Sequence, residues 1–117
     1  MIYTSNYFKA IQFIKDGKFS IEDLRQISNS KPKDFPDIKI VHELVPDWNL
    51  VSKFKSGLID ANLYRYWYER ANLVYVKDLI ERLDGKVLLC YCGAGKFCHR
   101  HLVSDRIRKL GFKCREI

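Results

Sequence analysis

The side chains best suited to chemistry lie close together in this sequence. Cys90, Cys92 and Cys98 fall within nine positions, and His99, Arg100 and His101 follow directly. Between the second and third cysteines runs the tract Cys92-Gly93-Ala94-Gly95-Lys96-Phe97. Thiolates are nucleophiles and soft metal ligands, imidazole is a base or a ligand near neutral pH, and a guanidinium holds phosphate or carboxylate by two parallel hydrogen bonds. Gly93 and Gly95 carry no Cβ, so backbone amides there can approach a ligand closely. Three uses of this group compete: Cys98 or Cys92 as a nucleophile with His99 beside it, a metal site, or a pocket in which Lys96, Arg100 and loop amides hold an anion while the thiols only pack.

The spacing weighs against metal. Five possible ligands occupy the twelve positions from Cys90 to His101, but without the paired Cys-x-x-Cys spacing of structural zinc sites, so neither a metal nor any other cofactor is expected. Gly95-Lys96 is not a Walker loop, because position 90 is Cys and no Ser or Thr follows the lysine. The tract Cys92-Gly93-Ala94-Gly95…Arg100 is similar to the phosphate- and sulfur-binding loops of cysteine phosphatases and rhodaneses, with the arginine two residues later than the phosphatase spacing. Plainer readings stand beside these. Cys90 in an apolar strand reads as a small hydrophobe and Cys114 as core. His42 reads as structural or exposed, His101 as exposed, and Trp48 as a core anchor rather than a pocket cover.

Charge marks the same end of the chain. The 117 residues carry 21 Lys+Arg against 14 Asp+Glu, a net charge of +7. Residues 1–84 hold 13 basic and 12 acidic side chains, whereas residues 85–117 hold 8 and 2. That bias points to a small anionic partner near the last third, a nucleotide first among them, with nucleic acid binding by the basic C-terminal helix as an alternative. Lys96 and Arg100 belong to the candidate pocket; Arg106, Arg108, Lys109, Lys113 and Arg115 lie farther along.

The elements that must position these groups are legible as a small α/β pattern. Ile2–Thr4 reads as a strand, followed by a helix whose apolar positions Tyr7, Phe8, Ile11, Phe13 and Ile14 recur mostly at three- and four-residue spacing, capped by Ser5 or Asn6 and stopped at Asp16-Gly17. Leu24–Ser28 admits a short strand or a helical turn, and Ile38–Val41 an edge strand or an extended loop. A short helix is expected over Asn49–Lys55, then one long helix from Asp60 to Leu83. Lys86–Tyr91 is a nearly continuous apolar run, as in a strand buried on both faces of a parallel sheet. Cys98 opens a helix with Leu102, Val103, Ile107 and Leu110 inward, and Phe112–Ile117 closes the chain as a strand. One three-layer α/β domain with a mainly parallel sheet and helices on both faces is expected over residues 1–117. A chain of this length buries roughly two thirds of its unfolded surface, enough for a core without disulfides. In such sheets ligands sit beyond the carboxyl ends of the strands, which places Thr4 and Ser5 on the same edge as Cys90. No apolar run is long enough to span a bilayer, and clustered thiols fit a reducing compartment, so a cytoplasmic protein without membrane association is expected.

Val87-Leu88-Leu89-Cys90-Tyr91, a glycine-containing loop, and Phe97-Cys98-His99-Arg100-His101-Leu102-Val103 together resemble the signature of the family called domain of unknown function 488. Ile2-Tyr3-Thr4-Ser5, Ile27-Ser28 before Lys31-Pro32, Pro46-Asp47-Trp48 and Phe54-Lys55-Ser56-Gly57 extend the likeness over nearly the whole chain. The resemblance implies a compact Rossmann-like fold, favours a strand at Leu24–Ser28, and selects Cys90, Cys98, His99 and Arg100. Cys92 stands where family members usually carry an acid, so no role for that carboxylate is carried over. The family has no settled activity. The expected function is therefore binding of a phosphate-bearing ligand at the Cys90–Arg100 edge, with a cysteine-dependent transferase or hydrolase using Cys98, or Cys92, as the alternative.

Overall fold

The computed structural model describes residues 1–92 and 97–117, so Gly93, Gly95 and Lys96 lie outside the described residues. In chain order the elements are β1 (Ile2–Asn6), α1 (Tyr7–Lys15), β2 (Leu24–Gln26), β3 (Lys39–Ile40), α2 (Trp48–Lys55), α3 (Ala61–Asn72), α4 (Lys77–Glu81), β4 (Val87–Cys90), α5 (His99–Lys109) and β5 (Cys114–Glu116). Among the described residues the strands form one sheet in the order β3-β2-β4-β1-β5, every pair parallel. The architecture is that of a small Rossmann-like three-layer α/β domain.

Strand β4 shows why the apolar run had to be continuous. Leu88 faces Ile2, Leu102, Val103 and Ile107, whereas Val87 and Leu89 face Tyr7, Ala10, Leu24 and Phe35. A strand covered on both faces needs apolar side chains at every position. Burial of each leucine contributes about 2 kcal/mol. Helix α1 covers one face and α5 the other, so the connections leaving the neighbouring strands β1 and β4 run to opposite sides. Between such strands the carboxyl edge opens into a crevice, and Asn6 and Cys90 are paired across it.

Most elements follow the sequence pattern. Asn6 caps α1 by accepting from the Lys9 amide at 2.9 Å, and Gly17, with φ of +73°, turns the chain away where a side chain would be strained. Leu24–Gln26 is a strand, extended by the Ile27 amide donating to the Leu89 carbonyl at 3.1 Å.

Three expectations need correction. The predicted helix over Asp60–Leu83 is two helices, α3 and α4, broken at Leu73–Val76. Leu73 and Val76 are both buried and stand three apart, so a bend and a continuous helix leave the same apolar spacing. The break is held from outside: Arg106 donates to the Leu73 carbonyl at 2.7 Å, and the Asn72 amide donates to the Glu43 and Val45 carbonyls. Secondly, Leu110 faces outward, at the carboxyl end of α5 where Gly111 turns the chain into β5. Phe8 and Ile11, apolar positions of α1, are exposed as well, because Tyr7 and Ala10 form its buried stripe. Finally, Trp48 is 58% exposed and is no core anchor; it opens α2 at the rim of a cavity.

Candidate functional site

Beyond the carboxyl ends of β2 and β4 lies a cavity of about 450 Å³. Five aromatic side chains stand in its walls: Trp48 and Phe54 on α2, Tyr64 on α3, and Tyr91 and Phe97 around the loop. Ser28, Asn29 and Ser30 enter from the segment after β2, and Lys55 joins the wall with its ammonium 5.5 Å from the Trp48 ring. Cys90, Cys92, Cys98 and His99 line it as well. The placement is a consequence of the fold: Cys90 ends β4, Cys98 precedes α5, and His99 is the first residue of that helix.

The sulfur atoms of Cys90, Cys92 and Cys98 all lie within 4.8 Å of one another, and none is in a disulfide. Cys90 and Cys98 are closest, with Sγ atoms 2.8 Å apart. His99 Nδ1 stands 3.6 Å from Cys90 Sγ and 3.9 Å from Cys98 Sγ. On its other side the ring contacts the Ile27 carbonyl through Nε2, and Tyr68 meets it edge-on with ring centres 5.5 Å apart. A carbonyl only accepts, so Nε2 carries the hydrogen and the Nδ1 lone pair faces the thiols.

Burial pushes the His99 imidazolium down to about 4, so the ring is neutral at neutral pH. Among the thiols the protons divide unequally. Hydrogen bonds from Cys90 and Cys98 hold the Cys92 thiol well below its usual range, aided by the Arg100 charge. Interaction with Cys92 pushes Cys90 up, and interaction with Cys90 pushes Cys98 up, each helped by burial. The group thus carries its first negative charge at or near Cys92, the half-buried member. Thiolate chemistry at this edge would begin at Cys92 in preference to the buried Cys98.

Arg100 goes elsewhere. It is fully buried; its Nε and Nη2 donate to Glu116 Oε2 on β5 at 3.2 and 3.1 Å, and its Nη1 donates to the Cys92 carbonyl at 2.8 Å. Thr4 donates to Glu116 Oε1 at 2.6 Å, and Ser5 to the Ile117 carbonyl at 3.0 Å. Thr4, Ser5 and Arg100 are therefore brought together with β5, away from the cavity wall, while Cys90, Cys98 and His99 reach the cavity.

The sequence reading missed Glu116 and the polar segment Ser28–Ser30. Glu116 had a signal, being one of only two acids in the basic last third. Ser28–Ser30 had one too, since β2 ends on the same carboxyl edge as β4. From sequence Trp48 reads first as a core anchor and only second as a pocket cover, and Lys55 carries no signal beyond its place in Phe54-Lys55-Ser56-Gly57.

No protein-family model matches this chain, and neither a curated protein nor a solved structure matches it.

Proposed function

We propose that the protein binds a small phosphate-bearing ligand with a flat ring, a nucleotide being the simplest chemistry of that kind, in the cavity beyond β2 and β4. The make-up of the cavity carries the reading: aromatic side chains for the ring, and Lys55 with the start of α5 for the anion. A volume of about 450 Å³ falls in the range of small-molecule sites. Ring faces suit stacking against a base. Helix α5 begins at the cavity wall, with Cys98 and His99 in the lining, and the positive end of its dipole favours an anion there. The resemblance to domain of unknown function 488 supports the same location. Arg100 acts here as a positioning residue for Cys92, and Lys55 takes over the charge first assigned to it. The unbridged thiols fit a reducing compartment, and we place the protein in the cytoplasm on that ground.

Nucleic-acid binding by the C-terminal helix is less well served, because its arginines, Arg100, Arg106 and Arg108, have internal partners. Arg106 reaches Leu73 and Glu69, and Arg108 reaches Cys114, Ser104 and Asp105. The cysteine-dependent reading is supported by the half-buried Cys92 thiol in the cavity wall, beside two further sulfurs that favour its thiolate. Iodoacetamide decides it: a Cys92 that reacts no faster than a free thiol removes it.

Thermal-shift titration with a panel of nucleoside mono- and triphosphates, and the matching nucleosides, tests the main reading. Nucleotides should raise the melting temperature, nucleosides less, and Trp48→Ala or Lys55→Ala should remove the gain without altering the unliganded protein, since Trp48 and Lys55 are exposed. A panel that leaves the wild type unmoved at millimolar concentration overturns it.

A further inference from the structure

We propose that Cys90, Cys92, Cys98 and His99 form a tetrahedral site for a soft or borderline divalent cation, zinc being the representative, with three sulfurs and His99 Nδ1 as ligands. The proposal does not depend on what occupies the neighbouring cavity.

Geometry is the first support. A zinc ion with Zn–S near 2.3 Å and Zn–N near 2.0 Å requires edges of about 3.7 Å between sulfurs and about 3.5 Å between sulfur and nitrogen. His99 Nδ1, at 3.6 and 3.9 Å from Cys90 and Cys98, already stands at that separation. The three sulfurs lie within 4.8 Å of one another. The Cys90–Cys98 pair, now 2.8 Å apart, must open by about 1 Å, which small side-chain rotations supply.

Support around the ligands is the second. Zinc-bound histidines characteristically donate their other ring N–H to a carbonyl or carboxylate, which fixes the tautomer and the ring plane. His99 makes such a contact to the Ile27 carbonyl while aiming Nδ1 at the sulfurs. Arg100 holds the Cys92 carbonyl at 2.8 Å, which anchors the third sulfur's backbone and sets a buried positive charge beside an anionic ligand set.

Donor chemistry is the third. Sulfur and imidazole select zinc-like ions over magnesium or calcium, which take oxygen. The Cys-x-Cys and Cys-His spacing hides the site because the ligands sit at the end of a strand and the start of a helix, which a parallel sheet brings together at one edge.

Anaerobic titration of the reduced full-length chain with cobalt(II), followed by zinc displacement, tests this. The expected result is intense visible bands and a near-ultraviolet sulfur-to-cobalt charge-transfer band, saturating at one equivalent and abolished by zinc. Cys90→Ser and Cys98→Ser should lower the charge-transfer intensity and weaken zinc by more than about a hundredfold. Cys114→Ser, outside the cluster, should leave the spectrum unchanged. Only the faint bands of octahedral cobalt in the wild type would overturn the proposal. So would a spectrum indifferent to Cys98→Ser. Where a cluster variant fails to fold, the wild-type spectrum alone decides, because tetrahedral thiolate and octahedral oxygen ligation differ in intensity.

Discussion

Cys98 and His99 on one side of the first turn of α5, and Arg100 on the other, belong to a single tripeptide but enter two unlike environments. The first two join Cys90 and Cys92 in a group of soft, mostly neutral donors beside an open cavity. The third enters a closed polar lock, where its guanidinium meets Glu116 and Thr4 completes the carboxylate's partners. Successive helix residues point about 100° apart, so adjacent positions on a buried helix start are driven to different neighbours. A run of reactive residue types is therefore not one site. Among the described residues the Arg100 side chain ties the two halves together by donating to the backbone of Cys92.

This division can be broken or sharpened by substitution. Arg100→Ala should have the largest effect, a loss of about 3 kcal/mol in urea denaturation, because it leaves the Cys92 carbonyl without its partner and Glu116 with Thr4 alone. Stability unchanged from wild type would dissolve the distinction between lock and cluster. The next effect depends on pH. His99 titrates near 4 when folded, below its ordinary value of 6.5, so the unfolded chain takes up a proton that the folded one refuses. Its contribution is complete above pH 6.5 and is lost as the pH falls toward 4, by about 3 kcal/mol. His99→Gln should flatten that part of the pH–stability curve, and a slope identical to wild type would show that His99 is not the titrating group. Thr4→Val should cost about 1 kcal/mol by removing one hydrogen bond of the lock. Cys92→Ser in the metal-free protein should change stability by no more than about 0.5 kcal/mol, since this residue is half-buried and belongs to the cluster. Cluster substitutions that cost as much as Arg100→Ala would reverse the comparison.

The sequence pattern made the strand–helix alternation and the position of the carboxyl edge readable, because a strand buried on both faces and a capped helix each leave distinct residue patterns. Val87–Cys90 and the Asn6 cap are examples. The bend at Leu73–Val76 was not readable, since the atoms that hold it belong to Arg106 and Glu43, remote in the chain. For the same reason Arg100 read as an anion holder: its charge was visible, but its partner sixteen residues later was not. The convergence of three sulfurs was also hidden, because it depends on where β4 ends relative to α5 and not on spacing within either element.

The sheet order has a consequence for how the chain assembles. Strand β1 is made first, yet its two partners in the sheet are β4 and β5, which begin at Val87 and Cys114. Until those residues are available, β1 has no neighbour on either edge, and β2 can pair only with the two-residue β3. Strand β4 can join β2 only by closing a loop of about sixty residues, and β1 can join β4 only across about eighty, so the sheet assembles late and slowly. The thiols at the end of β4 remain exposed during that interval, so the emerging chain is more open to oxidation than the finished one.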